Sequence, residues 1–320
     1  MDEFGLISKY FAPIAAREPG ALGLRDDAAV LTLSDGARLV CTTDAMVAGV
    51  HFLAEDPPGD IARKLVRVNL SDLAAMSARP RWLLLALALP RTTDDPWLAA
   101  FSAGLAADCA AFDVVLVGGD TVATDGPLTL SLTALGEGGA QVLTRSGAQE
   151  RDDIYVSGTI GDGALGLLVA QGKLVCKDEN ARNALMARYR VPQPRLALGQ
   201  ALCDIATACQ DVSDGLLADL GHLCTASGLG ARITAASVPL SDAARAAVRM
   251  DRALLATVLS GGDDYELVFT APPVARERLE GLEAGVAIRR IGVMTQGSGV
   301  EVSDADILRI SMENKGFQHF

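Results

Sequence analysis

The sequence predicts an α/β (α+β) fold in two domains, and three observations carry that expectation. Strand-like and helix-like segments alternate from end to end, and a Gly-rich polar stretch at residues 136–152 separates the halves. The third is length: 320 residues exceed the roughly 250–300 that one hydrophobic core usually fills. The expected boundaries are 1–137 for an N-terminal α/β domain, 150–306 for a C-terminal α/β domain and 307–320 for a tail.

Taken in order, Phe4, Ile7, Phe11 and Ile14 recur at helical spacing, so 4–15 reads as a helix. Residues 28–33 and 38–43 read as strands around a Ser34-Asp35-Gly36 turn. A long helix over 60–78 places Ile61, Leu65, Val68, Leu73 and Met76 near one face. Strand 82–89, helix 95–112 and strands 114–117 and 127–135 complete the first half, with Asp60 and Asp95 read as helix caps. The second half is expected to hold strands 154–157, 231–234, 266–270 and 287–293. Its expected helices are 162–171, 194–209, 215–227 and 241–248. The last dozen residues show no clear periodicity.

Composition narrows the function. Half the residues are apolar and 21% are charged, enough to build a core and to exclude global disorder. Forty acidic against 28 basic side chains give a net charge of −12, which argues against a nucleic-acid backbone or an anionic membrane as main partner. The six cysteines form no CxxC pair and read as reduced thiols. No apolar run approaches the roughly 18–20 residues of a membrane span, and the first twenty residues lack a signal-peptide core. A soluble cytoplasmic protein is expected.

Aspartates mark the chemistry. Asp26-Asp27, Asp44, Asp120, Asp211, Asp214 and Asp263-Asp264 each stand where an apolar element meets Gly, Ser or Thr. Any one could be a helix cap or a turn residue. Asp72 could not, because it lies inside a helix among Leu70, Leu73, Ala74 and Ala75. Carboxylates gathered this way, with Thr42 and Thr43 beside Asp44, suit Mg²⁺; three histidines without ligand spacing argue against zinc. The Gly118-Gly119, Ser213-Asp214-Gly215 and Gly261-Gly262 pairs read either as anion-approaching backbone or as plain tight turns. No Walker loop and no nucleophile elbow is present. Gly161-Asp-Gly163-Ala-Leu-Gly166 matches the dinucleotide fingerprint but lacks its acidic partner on a second strand, so close helix–strand packing explains it.

The ordered motifs GLRDDAAVL, TTDAMVAGVHF, NLSDLAAM, VGGDT, LTRSGA, DVSDGLLADLGH and SGGDDYEL resemble the thiamine-monophosphate kinase family. That family belongs to the superfamily of aminoimidazole ribonucleotide synthetase and selenophosphate synthetase. The resemblance spans nearly the whole chain. It implies Mg²⁺-dependent transfer of the ATP γ-phosphoryl group to thiamine monophosphate, several Mg²⁺ ions, and a homodimer paired through the N-terminal domains. By motif, Asp27, Thr42, Thr43, Asp44, Asp72, Asp120, Asp211 and Asp214 would hold metal, with Asp44, Asp72 and Asp120 central to the chemistry. Gly119, Asp120, Arg145 and Ser213 would meet ATP, and His51, Asp263 and Phe317 the thiamine portion. Two departures stand out: Arg25 replaces a glycine of the family pattern, and Asp263 is one methylene shorter than the usual glutamate. A related ATP-dependent synthetase and a non-catalytic nucleotide-binding protein are the alternatives; the first cysteine, Cys41, falls within a strand, unlike the N-terminal reactive residue of selenophosphate synthetases.

The implied chemistry suits the residues. A phosphate monoester with a second pKa near 6 is its own nucleophile at neutral pH, so no catalytic base is required. The obstacle is repulsion, roughly 4 kcal/mol per pair of unit charges at about 4 Å, which bridging cations relieve.

Overall fold

Alternation of buried and exposed residues along Arg38–Val47 (β2) makes one face of the first sheet apolar. The computed structural model describes Ala12 and residues 18–33 and 36–303. The helix expected at 4–15, Ala12 apart, and the tail with Phe317 lie outside the described residues. Strands β1 (Ala29–Thr32), β2, β3 (Arg79–Pro90), β4 (Val115–Thr124) and β5 (Thr129–Gly138) take the order β1-β2-β5-β3-β4. All neighbours are antiparallel except β3 and β4, whose parallel pairing needs the long crossover that α2 (Asp95–Phe112) supplies. The cap of α2 is Asp94, whose carboxylate accepts from Trp97 N at 2.9 Å, one residue before the aspartate expected.

Helix α1 (Pro58–Ala75) is buried at thirteen of its 18 positions, which a single apolar stripe cannot explain. One face packs on the first sheet through Leu65, Leu70 and Leu73 against Leu83, Leu130 and Leu132. Its last turn, Ala74 and Ala75, joins a separate cluster with Leu198, Leu202, Cys209 and Phe269 from the other half. A Cβ at Gly199 would lie 2.0 Å from Ala74 O, so glycine there permits the close approach. The two halves are thus fastened along α1.

The second sheet runs β11-β8-β10-β6-β9-β7. Its strands are β6 (Asp153–Ser157), β7 (Ala208–Asp211), β8 (Gly230–Thr234), β9 (Leu267–Ala271), β10 (Ile288–Thr295) and β11 (Gly299–Ser303). Helices α3 (Asp162–Ala170), α4 (Glu179–Arg190), α5 (Leu196–Leu202), α6 (Leu216–Ser227), α7 (Asp242–Met250), α8 (Leu254–Ser260) and α9 (Arg276–Glu280) accompany it.

Three differences from expectation bear on the site. The helix expected over 194–209 stops at Leu202, and Ala208–Asp211 is a fully buried strand paired with β9. A short apolar run has no periodicity by which to tell the two apart. The strand expected to end at Val117 continues to Thr124, because a register shift opposite Leu83 and Leu84 absorbs one residue and carries Gly118, Gly119 and Asp120 into the ladder. Helices α4, α8 and α9 and strand β11 were not expected; α4 buries only Leu185 and Tyr189, too few for an apolar pattern.

Candidate active site

Carboxylates from three elements converge at the seam. Asp27 precedes β1, Asp72 projects from α1, Asp211 ends β7, and their oxygens lie within 4.8 Å of one another. The Thr42 hydroxyl on β2 donates to Asp72 Oδ2 at 2.6 Å and to Asp27 O at 3.2 Å. Asp44, two residues further on the same strand face, has its amide held at 3.1 Å by Asn69 Oδ1, and Asn69 Nδ2 in turn donates to Leu65 O. Arg145 reaches Asp27 Oδ1 with Nε at 3.0 Å and with its second guanidinium nitrogen, while its amide donates to Asp26 at 3.2 Å.

Burial dominates the electrostatics. It pushes Asp72 and Asp211 well above the ordinary carboxylate range, and neighbouring aspartates push them further. Asp44 rises to about 6 through burial and the nearby Asp214 and Asp27, and Asp26 to about 6 through burial and Asp27. Burial would lower the Arg145 pKa, but Asp27 and Asp26 raise it above its usual value. Asp27 Oδ2 and Asp211 Oδ2 are buried with no hydrogen-bond partner. Orphaned carboxylate oxygens facing other carboxylates form a donor set that fits a hard divalent cation.

Asp214, Asp219 and His222 form a second group within 4.8 Å. Asp219 is structurally committed, accepting from Asp214 N at 3.1 Å, Gly215 N at 3.0 Å and Gln210 Nε2 at 2.9 Å. Burial, then Arg145, lowers His222 to about 4, so it is neutral at pH 7. Ser213 pairs through its carbonyl with Asp263 N at 2.9 Å, bringing the Gly261-Gly262-Asp263 loop onto the Asp211–Asp214 turn. A Cβ at Gly262 would lie 2.2 Å from Ser213 O, so that glycine serves this contact. His51 Nδ1 accepts from Val47 N at 3.0 Å, and its carbonyl accepts from Lys64 Nζ at 3.1 Å; Lys64 also pairs with Asp263 at 2.8 Å.

Thr43 and Asp120 sit elsewhere. Strand alternation and register place both on the sheet face opposite Thr42 and Asp44. The Thr43 hydroxyl donates to Leu132 O at 3.1 Å and pairs with Thr133, and Asp120 accepts from Thr121 N at 2.8 Å. A Cβ at Gly119 would lie 1.8 Å from Leu85 O, so strand packing demands glycine there. The fingerprint-like loop binds a side chain: Gly161 N and Gly163 N donate to Asp264 at 2.6 and 3.0 Å, and Gly166 lies against Leu185 O. Sequence reasoning singled out Asp26 without giving it a role and passed over Lys64, Asn69 and Asp219. The signal available for two of them was a run of polar residues on an otherwise apolar α1.

Two α/β halves clasping carboxylates at their seam define an AIR synthase related protein. The N-terminal domain of that family matches residues 25–137 and its C-terminal domain residues 149–305. Thiamine-monophosphate kinase of Salmonella typhimurium is 44% identical, covering 99% of this chain and 98% of the relative. That of Caulobacter vibrioides is 45% identical over 93% of this chain and 85% of the relative. Among solved structures, AaThiL complexed with AMPPCP and TMP superposes with a TM-score of 0.85 at 30% identity, covering 100% of this chain and 97% of that one. Thiamine-monophosphate kinase from Stenotrophomonas maltophilia gives a TM-score of 0.77 at 43% identity, covering 92% of this chain and 96% of that one. The chain belongs to the thiamine-monophosphate kinase family.

Proposed function

We propose that this kinase transfers the γ-phosphoryl group of ATP to thiamine monophosphate with the help of Mg²⁺, giving thiamine diphosphate and ADP by direct in-line attack. The observation that carries the reading is the convergence of Asp27, Asp72 and Asp211 with two orphaned buried oxygens. These residues, with Thr42, Asp44 and Asp214 beside them, would hold several Mg²⁺ ions; Thr43 and Asp120, on the opposite face of the first sheet, are assigned to metal by motif alone. The bound metal would neutralise charge on phosphate oxygens as the transition state loosens. Arg145 supplies a fixed guanidinium for a phosphate oxygen, and Ser213 and Gly119 border the same nucleotide. The acceptor phosphate is the nucleophile, so no side chain has to remove a proton. His51, Asp263 and Phe317 are assigned to the thiamine portion.

The domains are assigned as 1–137 and 150–306 with a tail at 307–320, a division that the two matched family ranges support. A homodimer through the first sheet is part of the reading. Strand β4 is exposed from Val115 to Ala123, and Val115, Leu116, Val117 and Val122 are each more than two-fifths exposed, an apolar edge that pairs only with β3 among the described residues, of the kind a second copy covers. No helix among the described residues is long and apolar enough to cross a membrane, consistent with the cytoplasmic setting proposed.

Purified protein incubated with ATP, Mg²⁺ and thiamine monophosphate should yield thiamine diphosphate and ADP, and EDTA should stop it. No product above background would refute the reading.

A further inference from the structure

Lys64 is a buried cation on α1, its side chain 3% exposed. Burying an ammonium is costly unless each of its three N–H groups finds a partner. Here all three do. Nζ lies 2.8 Å from Asp263 Oδ1, 3.1 Å from His51 O and 4.1 Å from the centre of the Tyr189 ring. The three partners come from different parts of the fold: the turn after β2, the loop after α8 and helix α4.

Each anchored segment also carries bonds of its own, among them Asp263 N to Ser213 O at 2.9 Å, and Lys64 links them to one another. The 47–51 turn closes on itself through His51 N to Val47 O at 3.0 Å and Val47 N to His51 Nδ1 at 3.0 Å. Asp263 has φ 71°, a left-handed conformation that disfavours a residue with a Cβ, and its side chain is 24% exposed. With Oδ1 taken by a buried ammonium, the carboxylate is fixed in orientation, and its partly exposed side chain keeps acceptor capacity for a ligand.

We propose that Lys64 is a positioning residue for thiamine monophosphate: it locks the His51 turn and the Asp263 loop, contributed by opposite halves of the chain, into one rigid recognition pair. The proposal rests on the assignment of His51 and Asp263 to the thiamine portion. Lys64 itself touches neither the nucleotide-facing Arg145 nor the carboxylate trio in any described hydrogen bond or ion pair, so its loss should bear on one substrate alone.

The test is steady-state kinetics of wild type, Lys64→Met and Lys64→Arg, with thermal shifts on adding thiamine monophosphate or Mg²⁺–ATP. Lys64→Met should raise KM for thiamine monophosphate about tenfold or more, leave KM for ATP within roughly twofold, and lose the thermal shift given by thiamine monophosphate but not that given by nucleotide. Asp263→Asn should cost less when added to Lys64→Met than when made in the wild type, since the pair is already broken. Unchanged kinetics in a folded Lys64→Met overturn the proposal, as do equal rises in both KM values, which mark a purely structural lysine. If Lys64→Met does not fold, Lys64→Arg decides, because its longer planar head keeps the charge but cannot meet the same three acceptors. A wild-type KM for thiamine monophosphate in Lys64→Arg then overturns it. Absence of thiamine monophosphate turnover in the wild type strikes the functional reading itself, a failure visible before any variant is made.

Discussion

Thr42 Oγ1 donates to Asp72 Oδ2 at 2.6 Å, joining β2 to α1 beneath the carboxylate trio. The bond gives a half-buried aspartate near the C-terminal end of α1 a donor its helix cannot supply. Thr42→Val keeps the shape and removes the hydroxyl. It should cost about 1–3 kcal/mol by chemical denaturation and weaken Mg²⁺ binding in calorimetry, whereas Thr42→Ser should retain both.

Asp211 is buried, carries an orphaned oxygen and faces Asp27 and Asp72. In Asp211→Asn the repulsion falls and a cation ligand is lost together. Turnover should drop by on the order of 100-fold, while the melting temperature in EDTA holds or rises. A variant that melts early yet turns over normally would contradict the assignment.

The pH dependence of metal-free stability follows from Asp26 and Asp44, both raised from 3.8 to about 6. A carboxyl raised on folding contributes stability that is fully present below its unfolded pKa and lost as pH rises through the folded value. In EDTA the protein should therefore melt at higher temperature near pH 5 than near pH 8, as far as these groups are concerned. Saturating Mg²⁺, which binds the charged carboxylates, should flatten or reverse the trend. Differential scanning calorimetry at several pH values, with and without metal, checks it.

Strand β4 offers a test of assembly. Val122 is 52% exposed on the sheet edge. Val122→Lys should shift sedimentation from dimer to monomer with the fold intact, since a charge on an unpaired edge discourages strand addition. A wild type that sediments as a monomer would remove the dimer from the functional reading.

Glu266 is fully buried beneath Asp264, where it accepts from Arg188 at 2.8 Å, from Arg195 Nε at 2.6 Å and from Ser157 Oγ at 2.5 Å. Glu266→Gln removes the charge that both guanidinium groups are paired with and should destabilise the protein by about 3–5 kcal/mol in denaturant titrations.

Much of this was legible in the sequence. Helix 95–112 coincides with α2, and the long helix that carries Asp72 is α1, because apolar periodicity over five turns has a single solution. Strand β7 was not legible, since four buried residues carry no period, and with it went the place of Asp211 beside Asp27. Thr42 and Thr43 illustrate the same limit: adjacent hydroxyls in the chain point to opposite faces once β2 forms, and only the sheet decides which face holds the trio.

The sequence by itself determined the residue types, the two-part alternation and the ordered motifs, because local periodicity and turn chemistry act over a few residues. Tertiary structure alone decided that carboxylates at 27, 72 and 211 come within 4.8 Å of one another, that Asp120 stands on the far face, and that Lys64 ties His51 to Asp263. The reason is physical: such approaches are set by how sheets and helices pack to bury apolar area, a constraint spread over the whole chain and absent from any single segment.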